Sequence, residues 1–269
     1  CGRNYYLMYD AIILAGGTSP WLQGLAGTKY RSVASLGGRP MLLYIVEALC
    51  ACPEIGRLVV AGPLQELTQL ALPARVELVA AGSTIMATTL AALELLQTEK
   101  PVVVVTEDIP LLSAAAVTDF LRQTAKQQAE LFYTIIPQDV CQKAFPGSKR
   151  TYVALKDGVF TGGNMFLATR ASALQGQKTG EALYAMRKKP WQLCSWLGWA
   201  FVFKLLLRRL TLQEVELRAS ELLGFCGRAI VSNFAEVGMD VDKKEDWQVV
   251  ERVLAARQTS PSKEMKEEA

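Results

Sequence analysis

Short apolar runs alternate with stretches of helical periodicity through the first half of the chain. Asp10–Leu14, Arg57–Ala61, Val76–Ala80 and Pro101–Thr106 read as strands, since each is a brief aliphatic run bounded by turn-forming residues. Between them Met41–Ala51, Pro63–Leu70 and Thr84–Gln97 have helical character, and Ala114–Lys126 sets Val117, Phe120 and Leu121 on one face. This is the βαβ pattern of a parallel sheet covered by helices. Leu131–Ile136 predicts a further strand. The pattern then changes, because Thr151–Lys156 and Asn164–Ala168 flank the turn pair Asp157-Gly158 and predict antiparallel strands added to the sheet.

From Thr179 to Leu223 the sequence turns helical and apolar, with Trp191, Trp196, Trp199, Phe201 and Phe203 close together. A helical insert over 179–223 is expected. A last strand, Ala229–Ser232, leads through Gly238 to Asp240, and a helix over Lys243–Ala256 turns Trp247, Val250 and Leu254 inward. The fold class is therefore α/β: a Rossmann-like mixed, mostly parallel sheet covered by helices, with a C-terminal helical insert. One domain over 8–257 accommodates these elements. Residues 1–7 read as an extension ahead of Met8 and lack the apolar run of a signal peptide, and the Ser, Lys and Glu-rich residues 258–269 read as a disordered tail.

With 269 residues, 51% of them hydrophobic, the chain can bury a sizeable core. A net charge of +3, without a long basic run interleaved with aromatics, argues against a nucleic-acid partner. The six cysteines are scattered without a C-x-x-C pair, as expected of reduced thiols in a cytoplasmic protein. Histidine is absent altogether, which excludes Ser-His-Asp chemistry, histidine bases and imidazole metal sites. Carboxylates, Lys and Arg must carry any chemistry.

Ile12-Ile13-Leu14-Ala15-Gly16-Gly17 is a buried strand ending in small residues, an arrangement that lets backbone N–H groups approach phosphate oxygens. A tight βα turn is the plainer reading of the same glycines. Val102–Thr106 then delivers Glu107-Asp108-Ile109-Pro110 to a sheet edge of the kind where ligands of open α/β sheets gather. Ser113 is the better N-cap for the following helix, which leaves Asp108 free for another task. Near the C-terminus, Gly238-Met239-Asp240-Val241-Asp242 precedes a helix. Asp242 with Glu245 reads as a capping box, so Asp240 is the free carboxylate of the two.

These stretches resemble the nucleotidyltransferase superfamily that includes the molybdenum-cofactor and sugar-phosphate nucleotidyltransferases. That family carries L-A-G-G-x-[SG]-x-R and then a Lys. Leu14, Ala15, Gly16, Gly17 and Ser19 match, whereas Trp21 stands at the usual Arg position and Lys29 comes three residues later than expected, with Arg31 able to compensate. Gly38-Arg39-Pro40-Met41-Leu42 also fits the family pattern. The resemblance implies a fold of the nucleotide-diphospho-sugar transferase type and a Mg²⁺-dependent transfer of NMP from an NTP to a small phosphate- or hydroxyl-bearing acceptor. It implies Lys29 on the phosphates and Asp108 and Asp240 on the metal. Glu107 replaces a commoner Gly and either crowds the metal or faces away.

By the same resemblance, Gly82 and Ser83 lie on a loop that contacts the nucleotide, although Gly82-Ser83-Thr84 also suits a helix N-cap. Lys149, Arg150, Gly163 and Asn164 lie where the superfamily binds its acceptor, against the alternative of surface charge and a Gly-rich bulge. A nucleotide-sugar-dependent glycosyltransferase and a non-catalytic nucleotide sensor are the rival functions. Lys204 interrupts the apolar segment Trp191–Leu207, so a membrane span is not expected. Buried packing or a homodimer face explains this segment, yet its flanking cations also fit peripheral membrane or amphiphilic-acceptor contact through 187–209.

Overall fold

A computed structural model describes residues 8–186 and 197–259. The expected extension at 1–7, the tail from 260 onward, Arg187 to Lys189, Trp191 and Trp196 lie outside the described residues. The elements run β1 (Tyr9–Leu14), α1 (Leu22–Ala26), β2 (Ser35–Leu36), β3 (Arg39–Pro40), α2 (Met41–Ala51), β4 (Ile55–Gly62), α3 (Leu64–Leu67) and β5 (Val76–Ala80). There follow α4 (Ile85–Leu96), β6 (Val102–Thr106), α5 (Ala114–Thr124), β7 (Leu131–Pro137), α6 (Gln138–Ala144), β8 (Val153–Leu155) and β9 (Gly158–Ala168). The chain continues with α7 (Arg170–Met186), α8 (Trp199–Leu206), α9 (Leu212–Leu223), β10 (Gly227–Val231), a 3₁₀ turn (Ala235–Gly238) and α10 (Lys244–Thr259).

The sheet has the order β10-β7-β9-β6-β1-β4-β5, with β8 paired to β9. β4, β5 and β6 run parallel with β1, and β10 parallel with β7. β9 is antiparallel to both β6 and β7 and joins the two parallel groups. The sheet is thus mixed and mostly parallel, the nucleotide-diphospho-sugar transferase arrangement. Helical structure after β9 begins at Arg170, earlier than the expected Thr179, because the polar α7 follows the strand directly and lacks the apolar density used to place the insert.

Alternation along the central strands sorts side chains to two faces. Ala11, Ile13, Leu58, Val60, Val103 and Val105 pack against α2 and α5 through Leu42, Ile45, Val117 and Phe120. Ile12, Val59, Ala61, Val102 and Val104 face the other way, onto Ala92, Leu93 and Leu96 of α4 and Ala173 of α7. A third apolar group lies apart from both and joins Leu22, Met41, Leu111, Phe145, Met239, Val241, Trp247 and Leu254. It ties the segment after β1 to the C-terminal helix and so fixes the chain around the loops that leave β1 and β6.

Close packing at this edge yields opposite expectations for two glycines. A Cβ on Gly62, at the end of β4, would meet the Ala15 carbonyl oxygen at 2.7 Å and Leu67 Cδ1 at 2.9 Å, whereas one on Gly24 in α1 would meet nothing within 4 Å. Gly62→Ala should therefore lose about 1–3 kcal/mol by overpacking. Gly24→Ala should gain about 0.5–1 kcal/mol from helix propensity. Urea unfolding midpoints check both signs.

Candidate active site

β1 and β6 pair in register from Asp10–Val102 to Leu14–Thr106, so the segments leaving them emerge side by side. The Ala15 N–H donates to the Ala61 carbonyl at 2.7 Å, and the Glu107 N–H to the Leu14 carbonyl at 3.2 Å, which keeps both connections pinned past the strand ends. Buried Met239 and Val241 seat the C-terminal segment beside them, where the Val241 N–H donates to the Asp108 carbonyl at 2.8 Å. One backbone hydrogen bond therefore carries Asp240 and Asp242 to the edge that Asp108 already occupies.

Two arginines hold this acidic group. Arg31 Nη1 lies 2.5 Å from Asp108 Oδ2 and 3.0 Å from Asp242 Oδ1, so a single nitrogen stands between two carboxylates. Its Nε donates to Ser19 Oγ at 2.9 Å, which fixes the guanidinium to the loop after β1. Arg150 pairs with Asp240 at 2.5 Å, and its buried Nε has no hydrogen-bond partner among the described residues. Asp240 and Asp242 also come within hydrogen-bonding reach of one another. Burial raises the Asp108 pKa and Asp240 adds to the shift, against Arg31 and the Thr106 hydroxyl, which donates to Asp108 Oδ1 at 2.5 Å. Burial, Asp240 and Asp108 likewise raise Asp242, against Arg31.

The capping box expected of Asp242 and Glu245 is not formed. Asp246 Oδ2 instead accepts the N–H groups of Asp242 and Lys243, at 3.2 and 3.0 Å. Asp242 is thus released to face Arg31, and its spacing from Glu245 did not reveal this because Asp246 is an equally short acceptor one position further on. Trp21, at the usual Arg position, donates its indole N–H to the Asp242 carbonyl at 2.9 Å and packs edge-on against Trp247 at 6.0 Å. It latches the loop after β1 to the C-terminal segment, while Arg31 supplies a guanidinium beside Asp108.

Glu107 turns its carboxylate to the glycine loop. Its Oε1 fills the space that a Gly17 Cβ would need, so that position admits only glycine with Glu107 in place. Gly16 is similarly closed in, by Ala81 at 3.1 Å from a built Cβ. Glu107 is 2% exposed, and its Oε2 has no hydrogen-bond partner of good geometry among the described residues. Burial pushes its pKa well above the ordinary value of 4.5 and Asp108 adds to this, against Arg31, the Gly17 N–H and Ser32.

Lys29 joins the loop through its backbone, whose carbonyl accepts the Ser19 N–H at 2.8 Å, but its exposed ammonium rests 5.0 Å from the Tyr30 ring centroid. Gly82 packs against the first turn of α4, and its N–H donates to Thr88 Oγ1 at 3.0 Å. Thr84 caps that helix by accepting the Ala87 N–H at 3.0 Å, and Ser83 is exposed. Lys149 is exposed, whereas Arg150 beside it in sequence pairs with Asp240. In β9, Gly162 makes room for the Tyr133 hydroxyl and Gly163 for Thr134, opposite a register shift between Tyr133 and Ile135. Asn164 lies one residue before the Met165 that pairs with Val105, abreast of the end of β6, and makes no side-chain hydrogen bond among the described residues. Sequence spacing did not reveal Tyr133, whose pKa is raised by burial and by Asp240.

Residues 11–191 match the family model of the MobA-like NTP transferase domain. A hypothetical transferase from Thermus thermophilus is similar over 89% of this chain and 99% of its own, with 36% identity and a TM-score of 0.79. A CMP:2-keto-3-deoxy-manno-octonic acid synthetase complexed with CTP is similar over 93% of this chain and 99% of its own, at 11% identity and a TM-score of 0.61. A 2-C-methyl-D-erythritol 4-phosphate cytidylyltransferase, also from Thermus thermophilus, gives 91% and 98%, with 15% identity and a TM-score of 0.52. At these last identities the likeness is one of fold alone. No curated protein matches the chain.

The buried Glu107 sets a pH dependence of stability. The folded state keeps a proton that the unfolded chain releases near 4.5, so this group's contribution declines as pH rises from there towards the folded pKa. Glu107→Gln keeps the shape without the charge. Its melting temperature should exceed the wild-type value at about pH 8, with the gap closing towards about pH 4, in a thermal-melt series.

Proposed function

The chain belongs to the MobA-like NTP transferase domain family and is a nucleotidyltransferase, and we propose that it moves NMP from an NTP to a small acceptor with release of pyrophosphate. The observation that carries this reading is the meeting of a glycine loop and a group of carboxylates at the ends of two paired strands, β1 and β6. The backbone N–H of Gly16 suits a phosphate oxygen, while the Gly17 N–H holds the Glu107 carboxylate and so fixes the loop that presents it. Lys29 joins the same loop, and its long stem lets the ammonium leave Tyr30 for a phosphate. Gly82 and Ser83, beside Gly16 through Ala81, line the nucleoside side.

Mg²⁺ fits the donor set. Asp108, Asp240 and Asp242 offer oxygen only, and the raised pKa values of Asp108 and Asp242 mark carboxylate charge that a cation would relieve. No group of three or more such side chains forms a metal cage among the described residues. Mg²⁺ is commonly held by one or two carboxylates, with the rest of its shell from substrate phosphates and water. Asp108 and Asp240 would hold it, and the ion would supply neutralisation of phosphate charge. Arg31 and Arg150 orient these carboxylates, and Arg31 is placed to follow Asp108 onto a phosphate oxygen.

The acceptor enters beside β9, where the Asn164 amide has no partner among the described residues, and the exposed Lys149 ahead of β8 supplies positive charge. An acceptor oxygen forms the new bond to the α-phosphorus as the bond to the pyrophosphate oxygen breaks. A phosphate-monoester acceptor is already ionised near neutral pH and needs no general base, consistent with the lack of histidine. The free thiols Cys50, Cys52, Cys141 and Cys226 support a cytoplasmic setting.

The test combines each of the four NTPs with Mg²⁺ and a panel of sugar and polyol phosphates, with pyrophosphate as the readout. One NTP should release pyrophosphate, and EDTA should abolish the release. Binding without release would favour the sensor, and turnover of nucleotide-sugars the glycosyltransferase. Asp108→Asn and Asp240→Asn should each lower the rate by about 10²-fold or more. Asp242→Asn, which leaves Arg31 with Asp108 alone, should lower it by about tenfold.

A further inference from the structure

The α8 helix carries an apolar face that nothing in the described chain covers. Trp199, Phe203, Leu206 and Leu207 are 64%, 62%, 75% and 48% exposed, and their spacing sets them along one side of the helix. Soluble surfaces scatter single hydrophobic residues, but they rarely gather large ones into one stripe. The charges around this stripe have one sign. Between Trp199 and Thr211 the sequence holds Lys204, Arg208 and Arg209 and no acidic residue.

These cations are not equivalent. Lys204 pairs with Glu214 at 2.6 Å, and that contact, with the N–H and hydroxyl of Thr211, holds the Glu214 carboxyl down to about 2. Arg208 and Arg209 have exposed side chains and make no ion pair among the described residues. The acidic residues of the adjoining α9 are otherwise engaged, Glu216 with Arg228 and Glu221 with Arg218. The helix ends firmly: Arg208 turns in the left-handed region at φ 54°, Leu210 is buried, and the Leu210 carbonyl accepts the Lys156 N–H at 2.8 Å. The backbone that carries both arginines is thereby fixed at the end of the apolar stripe.

We propose that α8 lies in the headgroup region of an anionic lipid surface, with Trp199, Phe203, Leu206 and Leu207 inserted and Arg208 and Arg209 on lipid phosphates. Charge selects this occupant over a second copy of the chain. A two-fold contact through the same stripe would bring two sets of arginines together, without the acidic residues needed to offset them. The contact is in-plane, since no helix among the described residues is long and apolar enough to cross a membrane. It does not depend on the transfer reaction and can fail while that reaction stands.

Vesicle flotation of the full chain tests the proposal, with neutral phosphatidylcholine and phosphatidylcholine–phosphatidylglycerol vesicles at low and high salt. The chain should float with anionic vesicles and be released by salt. The double variant Arg208→Glu/Arg209→Glu should weaken this binding by more than about tenfold. Trp199→Ser/Phe203→Ser should abolish it at an unchanged melting temperature. No flotation with anionic vesicles at low salt would overturn the proposal. So would a dimer in sedimentation velocity that Trp199→Ser/Phe203→Ser dissociates, because the stripe would then belong to a second copy.

Discussion

A single guanidinium nitrogen of Arg31 stands between the Asp108 and Asp242 carboxylates, and the geometry of the site depends on that contact. Three carboxylates drawn to one sheet edge repel, and burial makes each charge harder to hold. Arg31 and Arg150 offset this from two sides, one fastened to Ser19 in the loop after β1 and the other reaching in from the segment before β8. Breaking either pair would leave a partly buried charge without its partner, a larger loss than the value of an exposed ion pair. The acidic group is therefore held together by two distant parts of the chain, and these share a common edge only because β6 and β9 lie next to each other.

The apolar groups explain why this arrangement persists. Two of them belong to the sheet, one on each face. The third, which includes Leu22, Met239, Val241 and Trp247, contributes little to the sheet itself and packs the C-terminal segment against the loop after β1. Trp21 does the same through a hydrogen bond to the Asp242 carbonyl and an edge contact with Trp247. A residue that departs from the family pattern thus has a packing role, and Arg31 supplies the guanidinium beside Asp108.

Much of the fold was legible because the strands are dense in aliphatic residues and bounded by turn chemistry. Val76–Ala80 and Met41–Ala51 coincide with β5 and α2 as observed. The five-residue α1 and the seven-residue α6 were not expected, being too short to show a period. At the site, the glycine loop, Asp108 and Asp240 could be named from motif and strand position, and they do meet at one edge. The ion pair from Arg31 to Asp108 spans 77 positions and Arg150 to Asp240 spans 90, separations that local pattern cannot resolve. Glu107 illustrates the same limit: the sequence left its direction open, and only the space over Gly17 shows that it points to the loop.

The proposed transfer requires this carboxylate group to receive a divalent cation together with a nucleoside triphosphate. Water-proton relaxation with Mn²⁺ in place of Mg²⁺ addresses it directly, because protein-bound Mn²⁺–NTP tumbles far more slowly than the free complex. Titration of the wild-type chain into Mn²⁺ and each NTP should produce a relaxation enhancement with at least one nucleotide, and Asp108→Asn should remove it. No enhancement with any nucleotide, or an equal one in Asp108→Asn, would mean that the acidic group does not hold the metal.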